Sequence, residues 1–120
     1  MKNKMKIALA QLNPKVGDVK GNISKLISIR NDLSKDVDII VVPELYVPGY
    51  PIDDLVLRND FLELVENEIS DLAKLTNDGK AAIILGSPRK DEDKIRNSVF
   101  VLDQGKILSF RDKHNLPNTG

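Results

Sequence analysis

The sequence reads as an α/β chain of order β-α-β-α-β-β-β. Three observations carry that reading. Short runs rich in β-branched residues recur along the chain, each closed by a turn signal. Two longer stretches space their apolar residues as helices do. The final third holds two strand-like runs separated by a glycine-bearing turn, a hairpin pattern rather than a crossover.

Each element has its own grounds. Lys6–Leu12, closed by Asn13-Pro14, reads as a buried first strand. Val16-Gly17-Asp18 is a turn, and Gly21-Asn22 opens a helix with Asn22 as its N-cap. Ile23, Leu26, Ile27 and Leu33 form the apolar face of that helix, with Arg30 as the polar exception. Asp38–Val42 is a second strand, ended by Pro43. A loop from Pro43 to about Asp54 carries three prolines and one glycine. Asn59-Asp60 caps a second helix whose buried stripe is Phe61, Leu64, Val65, Ile69, Leu72 and Leu75. Asn77-Asp78-Gly79 stops it. Ala81–Leu85 is the third strand, ending at Gly86-Ser87-Pro88, and Arg89–Lys94 reads as a solvated connector. Ile95–Leu102 and Ile107–Arg111 are two antiparallel strands around Asp103-Gln104-Gly105, where the glycine supplies a positive φ.

Composition excludes several classes. The 120 residues hold 18 basic and 18 acidic side chains, so net charge is zero, and there is no basic cluster to grip nucleic acid. Hydrophobic residues make up 41%, enough for a modest single core and too many for a disordered chain. Apolar runs are too short to span a membrane. The basic start is not followed by the apolar stretch of a secretory signal, so a cytoplasmic location is expected. Without cysteine there is no disulfide, thiolate metal site or thiol nucleophile, and one histidine rules out a histidine-rich zinc site. No metal or cofactor site is expected within the chain. The chain closes on Leu116–Gly120 straight after a strand, with no helix to cover the last hairpin. Uncovered strands leave an exposed edge and an apolar face. The expectation is one partial domain over residues 1–120 that belongs to a longer polypeptide.

Chemistry is best supplied by two charged residues. Glu44, in Val41-Val42-Pro43-Glu44-Leu45, follows a buried strand at its carboxyl end, the edge where open α/β sheets bind ligands. Apolar neighbours on both sides disfavour its charged form and suit it to general-base work. The alternative is a carboxylate that caps the following loop. Lys113, in Arg111-Asp112-Lys113-His114, just past the last strand, is suited to stabilise an oxyanion; the alternative is a solvated surface lysine. His114 has no acid, nucleophile or metal partner of its own and reads as structural. Asp53-Asp54 reads as a helix start before Leu55 rather than a metal site. There is no P-loop, dinucleotide fingerprint or serine elbow.

Several strings together resemble the nitrilase, or carbon–nitrogen hydrolase, superfamily. They are Ala8–Pro14, Val16-Gly17-Asp18, Gly21-Asn22, Pro43-Glu44-Leu45 and Lys113–Pro117. Gly49-Tyr50-Pro51-Ile52-Asp53-Asp54-Leu55 and Lys113–Asn118 are similar to one branch, the glutaminase domains of glutamine-dependent NAD synthetases. The resemblance covers essentially the whole chain. It implies the first half of an α-β-β-α sandwich and a Glu-Lys-Cys triad. In that triad the Cys attacks the side-chain amide of glutamine, Glu44 is the general base and Lys113 stabilises the oxyanion. Tyr50 maps onto a tyrosine of the glutamine pocket. Thr119 falls where the branch has a tyrosine that helps hold glutamine.

The resemblance further implies that released ammonia amidates deamido-NAD in a second domain using ATP and magnesium; a homo-oligomer is expected from the uncovered apolar face. The nucleophilic Cys of the family lies downstream of its lysine, beyond these 120 residues, so the chain alone is expected to be inactive. Two other readings stand beside this one. The first is a stand-alone amidase of the same superfamily, against which the Gly49–Leu55 string argues. The second is a non-catalytic interaction module that keeps the half-fold.

Overall fold

The computed structural model of the chain describes residues 4–10, 12–15, 17–33, 35–42, 59–92 and 94–112. Their order is β1 (Ile7–Leu9), α1 (Val19–Asp32), β2 (Ile39–Val41), α2 (Asn59–Leu75), β3 (Ala82–Asp91), β4 (Lys94–Asp103) and β5 (Lys106–Asp112). This is the α/β order expected from the sequence. The strands form a single sheet in sequential order, β1 to β5. β1, β2 and β3 are parallel, and β4 and β5 are added antiparallel as a meander. Two reversals return β5 to the direction of β2, so both strands end at the same edge of the sheet.

One register runs across the sheet. Ala8, Ile40, Ile83 and Leu102 share a row, as do Leu9, Val41, Ile84, Val101 and Ser109. Strand side chains alternate between faces, and the first row belongs to the helix-covered one. There Ile40, Val42, Ile83, Leu85, Phe100 and Leu102 pack with Val19, Ile23 and Leu26 of α1 and with Phe61, Val65, Ile69 and Leu72 of α2. Right-handed crossovers that keep advancing in one direction place both helices on one side, so one core serves both. Leu26, Ile40, Val65, Ile83, Leu85 and Leu102 are wholly enclosed. Truncating any of these leucines or isoleucines to alanine costs about 2–5 kcal/mol.

The second row lies on the other face, where no described helix packs. Leu9 there is 72% exposed, Ile7 56% and Val99 43%. The apolar face expected from the sequence is therefore present among the described residues.

The structure corrects several local expectations. β1 spans three residues rather than Lys6–Leu12, and its outer side chains are open rather than buried. α1 starts at Val19, with Asp18 rather than Asn22 as N-cap: the Asp18 carboxylate accepts from the Gly21 N–H at 3.1 Å. A Cβ at Gly21 would run into that carboxylate, so the glycine makes room for the cap. Asn22 is instead a buried tie. Its amide accepts from the Lys15 N–H at 2.8 Å and donates to the Lys15 carbonyl at 2.9 Å.

Arg30, the polar exception on the apolar face, is buried. It is 5% exposed, donates through Nε to the Ala81 carbonyl at 2.9 Å, and grips Asp78 with two bonds of 2.8 Å. The guanidinium holds the Asp78 carboxyl down to about 2, helped by the Lys80 N–H. α2 includes Asn59 and Asp60 in its first turn, and Leu75 at its end is 49% exposed rather than part of the stripe.

β3 continues through Gly86-Ser87-Pro88 to Asp91, so Arg89–Lys94 is not a connector. Asp91 pairs with Lys94 across a tight turn in which Glu92 has φ 56°. Among the described residues β2 pairs with β3 only as far as Ile84. Pro88 therefore removes no ladder bond on that side.

The last hairpin matches its reading. Gln104 and Gly105 have φ of 55° and 80°, the two-residue geometry that suits strand twist. A Cβ on Gly105 would stand 2.9 Å from Asn77 Cβ, so both backbone and space call for glycine. The Gly105 N–H donates to the Thr76 hydroxyl at 3.1 Å, which ties the turn to the end of α2.

Candidate functional site

Glu44, Tyr50, Lys113, His114, Thr119 and the Asp53-Asp54 pair lie outside the described residues. What is described is the ground they rise from. Val42 is held to β3 through its N–H on the Ile84 carbonyl at 2.8 Å, and Ala10 to Val41 at 2.9 Å. The chain thus leaves β2 from a fixed point two residues before Glu44. At the same edge of the sheet β5 ends with Asp112, the residue before Lys113. A cavity of about 650 Å³ joins the two ends: Val41 and Val42 line one side, Arg111 and Asp112 the other, with Ile84 and Val99 between them. The strand ends that lead into the two candidate residues, remote in sequence, therefore share one hollow on the open face.

Asp112, in the lining of this hollow, belongs to a charged cluster that reaches a second hollow through Arg89. Asp112 accepts from Arg89 Nε at 3.2 Å and from Arg89 Nη2 at 3.0 and 2.7 Å on its two oxygens, and Ser98 donates its hydroxyl at 2.5 Å. Arg96 Nε stands 3.9 Å from the same carboxylate and 3.1 Å from Asp91. The Arg89 guanidinium also lies 4.5 Å from the centroid of the Phe110 ring, whose partner ring Phe100 is 5.9 Å away. Arg89 and Ser98 together hold the Asp112 carboxyl below the usual range, and Asp112 in turn raises Arg89.

Sequence reasoning missed this cluster, because Arg89 fell in a stretch read as solvated and Asp112 was placed just past the strand. The signal was parity. Ser98, Phe110 and Asp112 occupy positions that alternate onto the helix side once β5 pairs with β4. A charged residue at such a position calls for an opposite charge from the neighbouring strand.

The second hollow, about 760 Å³, lies on the helix side between α2 and β5, with Glu66 and Lys90 at its rim and Phe100 and Phe110 in its wall. It is remote from the ends that lead to Glu44. Among the described residues no group of three His, Asp or Glu side chains gathers to hold a metal, and no helix is long and apolar enough to cross a membrane.

The family model described as carbon-nitrogen hydrolase matches residues 6–119. The chain belongs to the carbon–nitrogen hydrolase family. It is 37% identical over 118 residues to the glutamine-dependent NAD(+) synthetase of Thermotoga maritima, covering 98% of this chain and 20% of that protein. The structure of the glutamine-dependent NAD+ synthetase from Acinetobacter baumannii in complex with ADP superposes with a TM-score of 0.82 at 36% identity. That match covers 97% of this chain and 22% of that one. An amidase from Nesterenkonia sp., 18% identical with a TM-score of 0.75, shares the fold over 93% of this chain and 43% of its own. The chain spans about a fifth of the length of the curated relatives it matches. The fold is thus the nitrilase-like one, represented here by one sheet and the helices on one of its faces.

Proposed function

We propose that residues 1–120 are part of the glutaminase domain of a glutamine-dependent NAD synthetase. In this reading Glu44 is the general base, Lys113 stabilises the tetrahedral oxyanion, and Tyr50 and Thr119 line the glutamine pocket. The nucleophilic cysteine comes from sequence beyond these residues, since none of the 120 is Cys. The observation that carries the reading is the run of synthetase relatives at 34–37% identity across nearly the whole chain, among them those of Thermotoga maritima, Aquifex aeolicus and Acinetobacter baylyi. The geometry supports it independently. Val42, two residues before Glu44, and Asp112, directly before Lys113, line opposite sides of one cavity.

The chemistry follows from these roles. Glu44 takes the thiol proton as sulfur attacks the amide carbon of glutamine, and passes it to the departing ammonia. Lys113 compensates the negative charge that builds on the carbonyl oxygen. Water then cleaves the thioester, and the ammonia amidates deamido-NAD in a separate synthetase domain. ATP and magnesium belong to that domain, and no residue of this chain is assigned to them. The assembly is read as a cytoplasmic homo-oligomer.

Glu44→Gln in the full-length protein tests this. Losing a general base costs on the order of 10²–10⁴ in rate. Synthesis driven by glutamine should fall by that factor, while synthesis driven by added ammonia is retained. Equal losses by both routes would make Glu44 structural and end the proposal.

A further inference from the structure

From the bonds that Arg89, Ser98 and Asp112 make across three strands, we infer that Arg89 and Asp112 are positioning residues for Lys113, fixing the point from which the oxyanion-stabilising lysine leaves the sheet. The inference rests on the proposed role of Lys113 and deepens it. Asp112 is the last residue of β5. β5 is an edge strand among the described residues, paired only with β4 and interrupted by a register shift near Val101 and Leu102. The end of such a strand is the part of a sheet most prone to fray.

Here that end is pinned from two sides. Ser98, directly opposite in register, donates to Asp112 Oδ1, and Arg89, one strand further in, closes on both carboxylate oxygens with a forked grip. Arg89 is itself held in place by the Phe110 ring beneath it. The clamp therefore spans β3, β4 and β5 and ends one peptide before Lys113.

The Asp112 charge is answered within the clamp by Arg89, with Arg96 3.9 Å away. A lysine acting on an oxyanion works only in the transition state. Displacing it lowers kcat more than it raises KM, and a shift of about 1 Å can cost about 100-fold.

The test is steady-state glutamine hydrolysis by the full-length protein carrying Asp112→Asn, Arg89→Lys, both together, or Lys113→Ala, with ammonia-driven synthesis and melting temperature measured on each. Asp112→Asn keeps shape and the Ser98 contact but removes the charge. Arg89→Lys keeps the charge but loses the fork. The expected result is a fall in glutamine-driven kcat of about 10- to 100-fold in each single variant with KM changed less than about threefold. The double variant should be no worse than the singles, because they break one unit, and the ammonia-driven rate should be kept. If Asp112→Asn does not fold, Arg89→Lys alone carries the same comparison. A loss in Lys113→Ala with kcat within about twofold in the clamp variants would overturn the inference and leave the role of Lys113 standing. A clamp variant that loses melting temperature and both synthetic rates together would make the cluster merely structural. No loss in Lys113→Ala would overturn both.

Discussion

Removing the Asp78 carboxylate should destabilise the fold by about 2 kcal/mol, and the structure shows where that figure comes from. Arg30 is 4% exposed at its side chain, Asp78 35%. In Asp78→Ala the guanidinium stays in place with its bond to the Ala81 carbonyl and loses two charge-assisted bonds. Breaking a buried pair from one side costs about 3–5 kcal/mol. The open Asp78 end admits water to the orphaned nitrogens, which brings the cost down to about 2 kcal/mol.

Arg30→Met removes the buried charge along with the pair. It should cost less, about 1 kcal/mol, mainly for the unpaired Ala81 carbonyl. The double variant should cost only slightly more than Arg30→Met, since Asp78 without Arg30 keeps just the exposed bond from the Lys80 N–H.

Acid provides a second reading of the same contact. The Asp78 pKa is about 2 in the fold against 3.8 for the free group. Its contribution is therefore complete above pH 3.8 and lost as pH falls through about 2. With the exposure of Asp78 discounted, this is about 1 kcal/mol. Urea unfolding followed by far-ultraviolet circular dichroism, at low protein concentration and at several pH values, measures all of these. An Asp78→Ala cost under about 0.5 kcal/mol, or an acid slope identical in parent and variant, would show that the pair does not hold α1 to the turn before β3.

Four further outcomes follow from other features. Gly105→Ala, forced to keep φ 80° against Asn77, should lose about 1–3 kcal/mol in the same assay; a neutral result would mean the turn relaxes freely. Asp18→Ala should lose about 1 kcal/mol with the cap, whereas Asn13→Ala, which contributes only its carbonyl to Lys25, should be neutral. The purified 120-residue chain should release no ammonia from glutamine, as measured by a coupled ammonia assay. The same chain should sediment as associated species through the face that carries Ile7, Leu9 and Val99; a well-behaved 13.4 kDa monomer would contradict this.

The element order, both helices and the last hairpin were legible because each has a local signal: β-branched runs, a 3.6-residue period, and Gln104-Gly105 between alternating strands. The misreadings arose where two local signals compete or where the partner is distant. Asp18 and Asn22 are both good caps, and Gly21 between them looked like a helix boundary, whereas it clears space for Asp18. Gly86-Ser87-Pro88 reads as a stop, yet the strand continues because Pro88 lies beyond the reach of β2. Arg30 falls on the apolar period, and its burial depends on Asp78, 48 residues away. The sequence names the candidate site through motifs at Glu44 and Lys113, both outside the described residues. The Arg89–Asp112 clamp was not legible, since it depends on a register between strands that no single segment encodes.

The sequential order of the strands bears on how the chain becomes a sheet. Each strand pairs with its neighbour in sequence, so no pairing waits for a distant segment to arrive. β3, β4 and β5 are joined by tight turns, the kind of loop that closes in microseconds. β1 and β2 gain their places only after α1 and α2 have crossed back. Assembly should therefore start at the meander and advance toward the amino-terminal edge, with β1, three residues long, joining last. Folding φ-values near one around Asp103–Lys106 and near zero at Ala8 are expected, and the reverse pattern would refute this order. An edge that joins last is also the first to leave. Transient opening of this sheet then begins at Ile7–Leu9, while the strand ends that flank the cavity stay paired.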